Sequence, residues 1–572
     1  MSTSNPGPAV ANSANYQSLQ ADPVSLQPSP STSAALGAYI VDSGSAAVAA
    51  ANRQNGITAR ISQGGPLRVA SIGDSLMQRG YTNVSGPSGQ TVVVSGGIAT
   101  MDTNGGHGTY VGARIQVTPP SEIQTTSPRN FGFNSTVLST PSNTQITFSV
   151  NGLFANGSYT VAAKSWAIAQ INTPSLYNLQ VARNTYLGRD AIYIANYAIG
   201  GTTTSDLAGQ VAQLLAGYSV HECDISSGTN DIINATAGTV KAAVDTAISN
   251  IAAAVSTLQL AGVKARVWIP PGVNSSYGSY ATWMTMGAAY MRKKLYDLQA
   301  QYPGLELVDM FANSTDANGV LDSTLCAADK IHPISLGCLR NGRIEGFRAP
   351  LNGQALSIPY KQASAVDDGS MTGDTRKNIM VNGLLTGSGA VSGTNIVGGS
   401  TAPTGWTAPN QEANVSVTLT ANQAVTVPSR EVSNRATIGK AWLIAATTTA
   451  KSYVRLLSSQ EFATSMAANQ YYRLRITLDA TADCAGFLGF YPFLFLTGGV
   501  SIYFQRDLEA SGVAANAEVK SGDTLHFVSQ PLALSSIPAS VKLYIDLTLS
   551  NAANVAFKLS ALSFDAIENP WQ

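Results

Sequence analysis

The chain has 572 residues, enough for about four units at roughly 150 residues per domain. Hydrophobic residues make up 44% and charged residues 12%, with 52 glycines, a balance that favours β-rich architecture with sizeable cores over helical bundles. The formal net charge is zero and no Lys/Arg run is present, so there is no electrostatic case for nucleic acid or an anionic membrane.

The opening stretch, residues 1–62, begins in Ser, Pro, Ala and Asn and reads as a partly disordered or adaptor-like segment, with a short helix predicted over 45–62. Its start, Met1-Ser-Thr-Ser-Asn-Pro-Gly-Pro, lacks the basic and apolar runs of a signal peptide. Leu67 to Ser71 is predicted as a short buried strand that runs into Gly73-Asp74-Ser75. Residues 84–164 change character. Runs of Thr, Ser and Val alternate with turn residues, which predicts an all-β insert. From 165 to 355 strands and helices alternate. Helices are predicted over 175–187, 204–217, 236–262 and 280–301, and strands over 191–196, 222–227, 265–270 and 305–309. That pattern implies βαβ units around a parallel sheet, begun by the strand in 63–83.

Residues 356–377 read as a polar linker, and 378–572 as many short strands of a β-sandwich or jelly roll. The most apolar window, 487–500, is broken by Pro492 and by glycines, and reads as two buried strands rather than a membrane span. Four cysteines, Cys223, Cys326, Cys338 and Cys484, show no metal-type spacing. Cys326 and Cys338 are read equally as a disulfide and as two buried thiols.

Four features at the ends of the α/β strands bear on chemistry. Ser75, by itself, is matched evenly between a nucleophile and a turn residue. Asn196-Tyr-Ala-Ile-Gly200-Gly201-Thr-Thr-Thr is a glycine turn whose backbone N–H groups can face an anion. Asn230, in Gly228-Thr-Asn-Asp231, offers a side-chain amide just past a strand, or a plain helix N-cap. His332 alone among the four histidines has a carboxylate, Asp329, three residues before it. In one helical turn that spacing lets the carboxylate orient the imidazole. His107, His221 and His526 are accounted for by core or surface roles. Together these parts suit acyl transfer: a hydroxyl nucleophile, a base with its orienting acid, and oxyanion donors.

Gly73-Asp74-Ser75, Gly200-Gly201, Gly228-Thr-Asn230-Asp231 and Asp329-Lys-Ile-His332 resemble the four motif blocks of the SGNH, or GDSL-type, hydrolases. The resemblance implies a flavodoxin-like three-layer α/β core and ester hydrolysis without metal or cofactor. It places the nucleophile on Ser75 and the acid and base on Asp329 and His332. The oxyanion hole falls on Ser75, Gly201 and Asn230, with Gly200 as the register alternative. The large insert after the first block departs from the family pattern and leaves the pocket shape unread.

The insert, with Gly106-His-Gly-Thr-Tyr-Val and Asn156-Gly-Ser-Tyr-Thr-Val, resembles small β modules of bacteriophage tail fibres and tailspikes. The C-terminal region resembles carbohydrate-binding jelly rolls, with Trp406, Trp442 and Tyr471 (and also Tyr472 and Trp571) as candidates to stack on sugar rings against the commoner role in a core. These resemblances imply a tailspike-type deacetylase, a homotrimer attached to a virion through its N-terminus, acting on an acetylated polysaccharide of a bacterial surface. The implied setting is the virion tail or an extracellular space, with no nucleic-acid partner and no membrane insertion. Two alternatives stay open: a secreted carbohydrate esterase of acetylxylan type with a binding module, and a non-catalytic glycan receptor-binding protein.

Overall fold

The structure is a computed structural model that describes residues 66–351 and 378–569, apart from 84–85, 104–108, 124–131, 143, 151–152, 163, 165, 190, 381, 426–438, 506–508, 510–512, 514 and 568. The expected N-terminal segment, the linker, His107 and Trp571 therefore lie outside the described residues.

The α/β unit is built on five parallel strands. In chain order they are β1 (Leu67–Gly73), then, after the eight strands β2 to β9 of the insert, β10 (Ala191–Asn196), β11 (Glu222–Ser226), β12 (Lys264–Ile269) and β13 (Glu306–Asp309). Their spatial order is β10-β1-β11-β12-β13. Counted within the unit this is 2-1-3-4-5, the flavodoxin-like doubly wound order, whose ligand crevice lies at the switch point beside the first strand. Every residue of β10, β11 and β12 is buried, as a parallel sheet covered on both faces requires.

Helices α1 (Ser75–Gln78), α2 (Leu179–Leu187), α3 (Leu207–Gly217), α4 (Thr229–Ile233), α5 (Val240–Leu260), α6 (Thr282–Gln301), α7 (Met310–Ser314) and α8 (Ser335–Leu351) complete the unit. One face of the sheet is apolar. Ile72, Ile194, Ile225 and Val267 pack there with Leu207, Val244, Ile251, Met291 and Leu295. The other face carries buried charge. Arg266 bonds Asp224 at 2.8 Å and Glu222 at 2.9 Å, and Arg189 and Arg183 pair with Glu222 and Glu306. Burial pushes the Glu222 carboxyl up, but the Arg189, Arg266 and Lys264 cations outweigh it and hold the group well below the usual carboxylate range.

The insert is one antiparallel eight-stranded sheet in the order β2-β9-β5-β6-β7-β4-β3-β8. The strands are β2 (Tyr81–Asn83), β3 (Thr91–Ser95), β4 (Ile98–Asp102), β5 (Arg114–Thr118), β6 (Phe133–Ser142), β7 (Gln145–Ser149), β8 (Gly157–Thr160) and β9 (Ala167–Pro174). The sheet reaches beyond the expected 84–164. β9, which the sequence reading assigned to the α/β region, pairs with both β5 and β2. The insert leans on the edge strand β10. Gln116 donates to the Ala198 carbonyl at 3.0 Å, and the Arg114 guanidinium bonds the Ile194 carbonyl and the Tyr218 hydroxyl.

Ten strands of the C-terminal region form one curled sheet, beside a two-stranded ribbon of Gly389–Ala390 and Thr401–Ala402, rather than the two separate sheets of the expected sandwich. Its central strand, Val541–Ile567, runs through both halves. The part before Asn551 is flanked by strands Ser452–Ser458 and Ala485–Leu496, and the part after by Ala441–Thr448 and Tyr471–Ala480. Ala552, at φ 52°, lies between these two parts. A single unbroken strand joins what would otherwise be two sheets. Its core is continuous with residues of α2 and α8, among them Leu179, Tyr186, Cys338 and Leu339. Among the described residues no helix is long and apolar enough to cross a membrane.

Candidate active site

Ser75 stands where β1 leaves the sheet. Gly73 has φ 120°, and a Cβ there would run into the Ser226 carbonyl of β11, so the close approach of the two strands requires glycine. The Asp74 N–H then donates to that carbonyl at 2.7 Å. Asp74 caps α1, its Oδ1 accepting the Leu76 N–H at 3.0 Å, which puts Ser75 in the first helical turn. Burial pushes the Asp74 carboxyl up to about 7, against the pull of the Leu76 N–H, and Asp231 adds to the rise. Asn178 of the next helix start holds α1 from below, donating to the Met77 and Arg79 carbonyls.

His332 reaches Ser75 from a turn between β13 and α8. Its Nε2 lies 2.6 Å from Ser75 Oγ, and its Nδ1 lies 2.9 Å from Asp329 Oδ2. The segment is not the helical turn that the spacing suggested. Lys330 sits at φ 66°, and Asp329 Oδ1 instead accepts the backbone N–H groups of Ile331 and His332 at 3.2 and 3.1 Å. One carboxylate thus shapes the turn with one oxygen and meets the imidazole with the other. With Nδ1–H donated to Asp329, Nε2 is left to accept from Ser75. Burial lowers the His332 pKa below the ordinary histidine value, and the Arg79 cation adds to this against the pull of Asp329. Asp329 is held below the ordinary carboxylate range: its burial raises it, but the His332 N–H and imidazole and the Ile331 N–H outweigh that.

Arg79 is a residue that sequence reasoning missed. Its Nη1 lies 3.3 Å from Asp329 Oδ2, and its guanidinium sits 5.0 Å from the centre of the Tyr177 ring. The signal was present in its position, four residues after Ser75 and so one turn along the same helical face, its N–H donating to the Ser75 carbonyl at 3.2 Å.

The glycine turn after β10 lies against Ser75. A Cβ on Gly200 would meet Ser75 Cβ at 3.5 Å. Gln78 Oε1 accepts the Gly200 N–H at 2.7 Å, whereas the Ser75 and Gly201 N–H groups have no hydrogen-bond partner among the described residues. Gly200 is thus engaged and Gly201 is open. Asn230 lies inside α4, whose N-cap is Gly228, so it is not the cap. One of its amide protons goes to the Thr202 carbonyl at 2.8 Å, which turns the amide toward the glycine turn. Asp231 ties the same two segments by accepting the Thr204 N–H and hydroxyl at 3.0 and 2.7 Å. Ser75, His332 and Asp329 are thus in line, and Asn230 is tied to the glycine turn that lies beside Ser75, at the switch point of the sheet. The chemistry such a set can perform is nucleophilic attack by a hydroxyl under general-base assistance, with N–H donors for a developing oxyanion.

Of the other expectations, the open choice at the cysteines falls on free thiols, and the sugar-stacking role of two tryptophans is corrected. The four cysteines are free and buried. Cys326 Sγ points to the Ser323 carbonyl and Cys338 Sγ to that of Tyr177, so no disulfide clamps the histidine turn. Trp406 and Trp442 are core residues, 5% and 0% exposed, meeting edge to face at 6.3 Å. Their ring faces are closed to a sugar. Tyr471 is partly buried at a strand start, near Tyr110 and Arg114 of the insert. His221 and His526 are structural: His221 Nδ1 accepts the Arg68 N–H, and His526 bonds Thr477. Among the described residues no cluster of side chains suits a metal ion.

No protein-family model matches the chain, and no curated protein does. Solved structures similar to part of it include a lipase from a goat rumen metagenome, 16% identical over 31% of this chain and 87% of its own, TM-score 0.25. A member of the lipolytic G-D-S-L family from Veillonella parvula is 13% identical over 28% of this chain and 80% of its own, TM-score 0.22. An acetyl xylan esterase from Geobacillus stearothermophilus is 17% identical over 29% of this chain and 75% of its own, TM-score 0.24. These neighbours are lipolytic proteins and acetyl esterases, but at such scores the likeness decides nothing about activity, and the geometry of the site has to. Sheet order and site together define a flavodoxin-like α/β domain with a serine, histidine and aspartate in line at its switch point, carrying a β insert and a curled β domain.

Proposed function

We propose that the protein is a serine esterase that removes O-acetyl groups from a polysaccharide, in its finer form a tailspike-type deacetylase of a bacterial surface glycan. The observation that carries the esterase reading is the relay from Ser75 Oγ to His332 Nε2, 2.6 Å, and from His332 Nδ1 to Asp329, 2.9 Å. His332 takes the proton as Ser75 attacks the ester carbonyl, and Asp329 stabilises the imidazolium so formed. The N–H groups of Ser75 and Gly201 and the amide of Asn230 receive the oxyanion. The sugar hydroxyl leaves with the proton from His332, and water then hydrolyses the acetyl-enzyme with His332 again as base. A polymeric substrate is supported by the exposure of the site: Gly200, Gly201 and Asp329 are exposed and Ser75 is half-buried, so an ester on a long chain can reach Ser75.

The test is acetate release from a panel of acetylated glycans, bacterial capsule and O-antigen beside acetylated xylan. Release from the bacterial polymers is expected. Release from xylan alone would favour a plant-polysaccharide esterase, and tight binding without release would favour a receptor-binding protein.

A further inference from the structure

We infer that the C-terminal β domain is a working part of the site: Glu509 and Leu488 hold the turn that carries Asp329 and His332. The inference rests on the esterase reading above and assigns a positioning role to residues far from the nucleophile in sequence.

The histidine turn is closed on itself by two backbone bonds, Ala327 N–H to the His332 carbonyl at 2.7 Å and Ile334 N–H to the Leu325 carbonyl at 2.9 Å. These bonds fix the shape of the turn but not its position against Ser75. Position comes from what packs on its flanks. Leu325 and Ile334 form a small apolar cluster with Tyr177 and Leu336, and the cluster is completed by Leu488 of the C-terminal domain, 2% exposed, with Val513 against it. On the other flank the turn runs directly into α8. There the Ser335 N–H, three residues past His332, donates to Glu509 Oε2 at 2.7 Å. Glu509 is itself 7% exposed, and Lys451 Nζ bonds its backbone carbonyl.

A helix start leaves backbone N–H groups without intrahelical partners, and a carboxylate there is favoured by both the open donor and the helix dipole. In the dry setting around Glu509 such a charge-assisted bond is strong, and losing the acceptor leaves a buried donor unmet. Pro333 lies between His332 and α8, and its fixed φ transmits the tilt of the helix start to the imidazole. Farther along α8 the same domain is anchored by Arg340 to Glu518 at 2.6 and 2.9 Å and by Arg343 to Asp523 at 2.9 Å. Docking as such is therefore shared among several contacts, whereas Glu509 and Leu488 act where the helix meets the histidine turn. Glu509 touches no reacting atom; its effect runs through the placement of His332.

The experiment uses the full chain and a small soluble acetyl ester, which needs no glycan-binding surface. Glu509→Ala and Glu509→Leu are expected to lower kcat about 10- to 100-fold with KM unchanged, as a displacement approaching 1 Å at the base would. Glu509→Gln, whose amide oxygen still accepts the Ser335 N–H, is expected to retain most of the activity. Arg343→Ala, which loosens the far end of the same interface, is expected to keep kcat. Hydrogen exchange of residues 325–334 reads the holding of the turn whether or not ester is turned over. It is expected to quicken in Glu509→Ala and Glu509→Leu and not in Glu509→Gln or Arg343→Ala. Unchanged exchange in the Ala and Leu variants, or equal effects of Arg343→Ala, would overturn the positioning role. The expected exchange pattern in a protein that hydrolyses no ester would uphold it and sink the esterase reading alone.

Discussion

Ser75 stands at the end of a buried strand and is placed by backbone geometry, whereas His332 stands on a turn that borrows its position from its neighbours. On the Ser75 side, Gly73 packs against β11, Asp74 caps α1, and Asn178 holds the carbonyls of Met77 and Arg79. All of this lies within the parallel sheet and its first layer of helices. On the histidine side, Lys330 has a left-handed backbone, Asp329 serves both turn and imidazole, and the flanks rest on Tyr177 and on the C-terminal domain. The difference teaches that Ser75 is placed within the α/β unit itself, while His332 depends on contacts that close only when a second domain is in place.

Substitutions on the two sides should break in different ways. His332→Ala should lower kcat by roughly 10⁴ to 10⁶, the range for losing the base of such a relay, with the thermal midpoint little changed. Gly73→Ala should fail earlier, because a Cβ cannot be accommodated against the Ser226 carbonyl. A loss of soluble, cooperatively melting protein checks it, and a stable, active Gly73→Ala protein would contradict the close-packed reading of the Ser75 side. Asn230→Ala should lower kcat by roughly 10² to 10³ with KM changed little, as for removal of one oxyanion donor, measured by steady-state kinetics on a soluble ester.

The smallest effect expected is a shift in pH dependence. His332 must be neutral to accept the Ser75 proton. Burial and the Arg79 cation lower its pKa, so the acid limb of kcat/KM should lie below the ordinary histidine value. Arg79→Gln removes a cation that disfavours the imidazolium, so the His332 pKa should rise and the acid limb move to higher pH. The Arg79 contact is partly exposed, so the shift should shrink at high salt. A limb that stays in place in Arg79→Gln would separate Arg79 from the base.

How much was legible in sequence follows the same division. Gly73-Asp74-Ser75, Gly200-Gly201 and Asn230 could be read because each sits where a strand ends, and local backbone demands select those residue types. The core strands were readable from their apolar runs for the same reason. β9 was not, since Ala167 to Pro174 lacks a clean alternation and its partners β5 and β2 are distant in the chain. Glu509 carries no local signal, because its meaning depends on a helix start that lies 174 residues earlier. Trp406 and Trp442 mislead for a physical reason: an aromatic in a strand suits a sugar platform or a core equally, and only the curl of the sheet decides which face is closed. Cys326 and Cys338 flank the histidine turn closely in sequence, yet their thiols point to different carbonyls.

The measurement that bears most directly on the central claim is the rate of acetyl-ester hydrolysis by wild-type protein and by Ser75→Ala, each shown to be folded by its melting transition. Wild-type protein is expected to release acetate, and folded Ser75→Ala to release none above background. Equal rates from the two would contradict Ser75 as the nucleophile and, with it, the role given to His332.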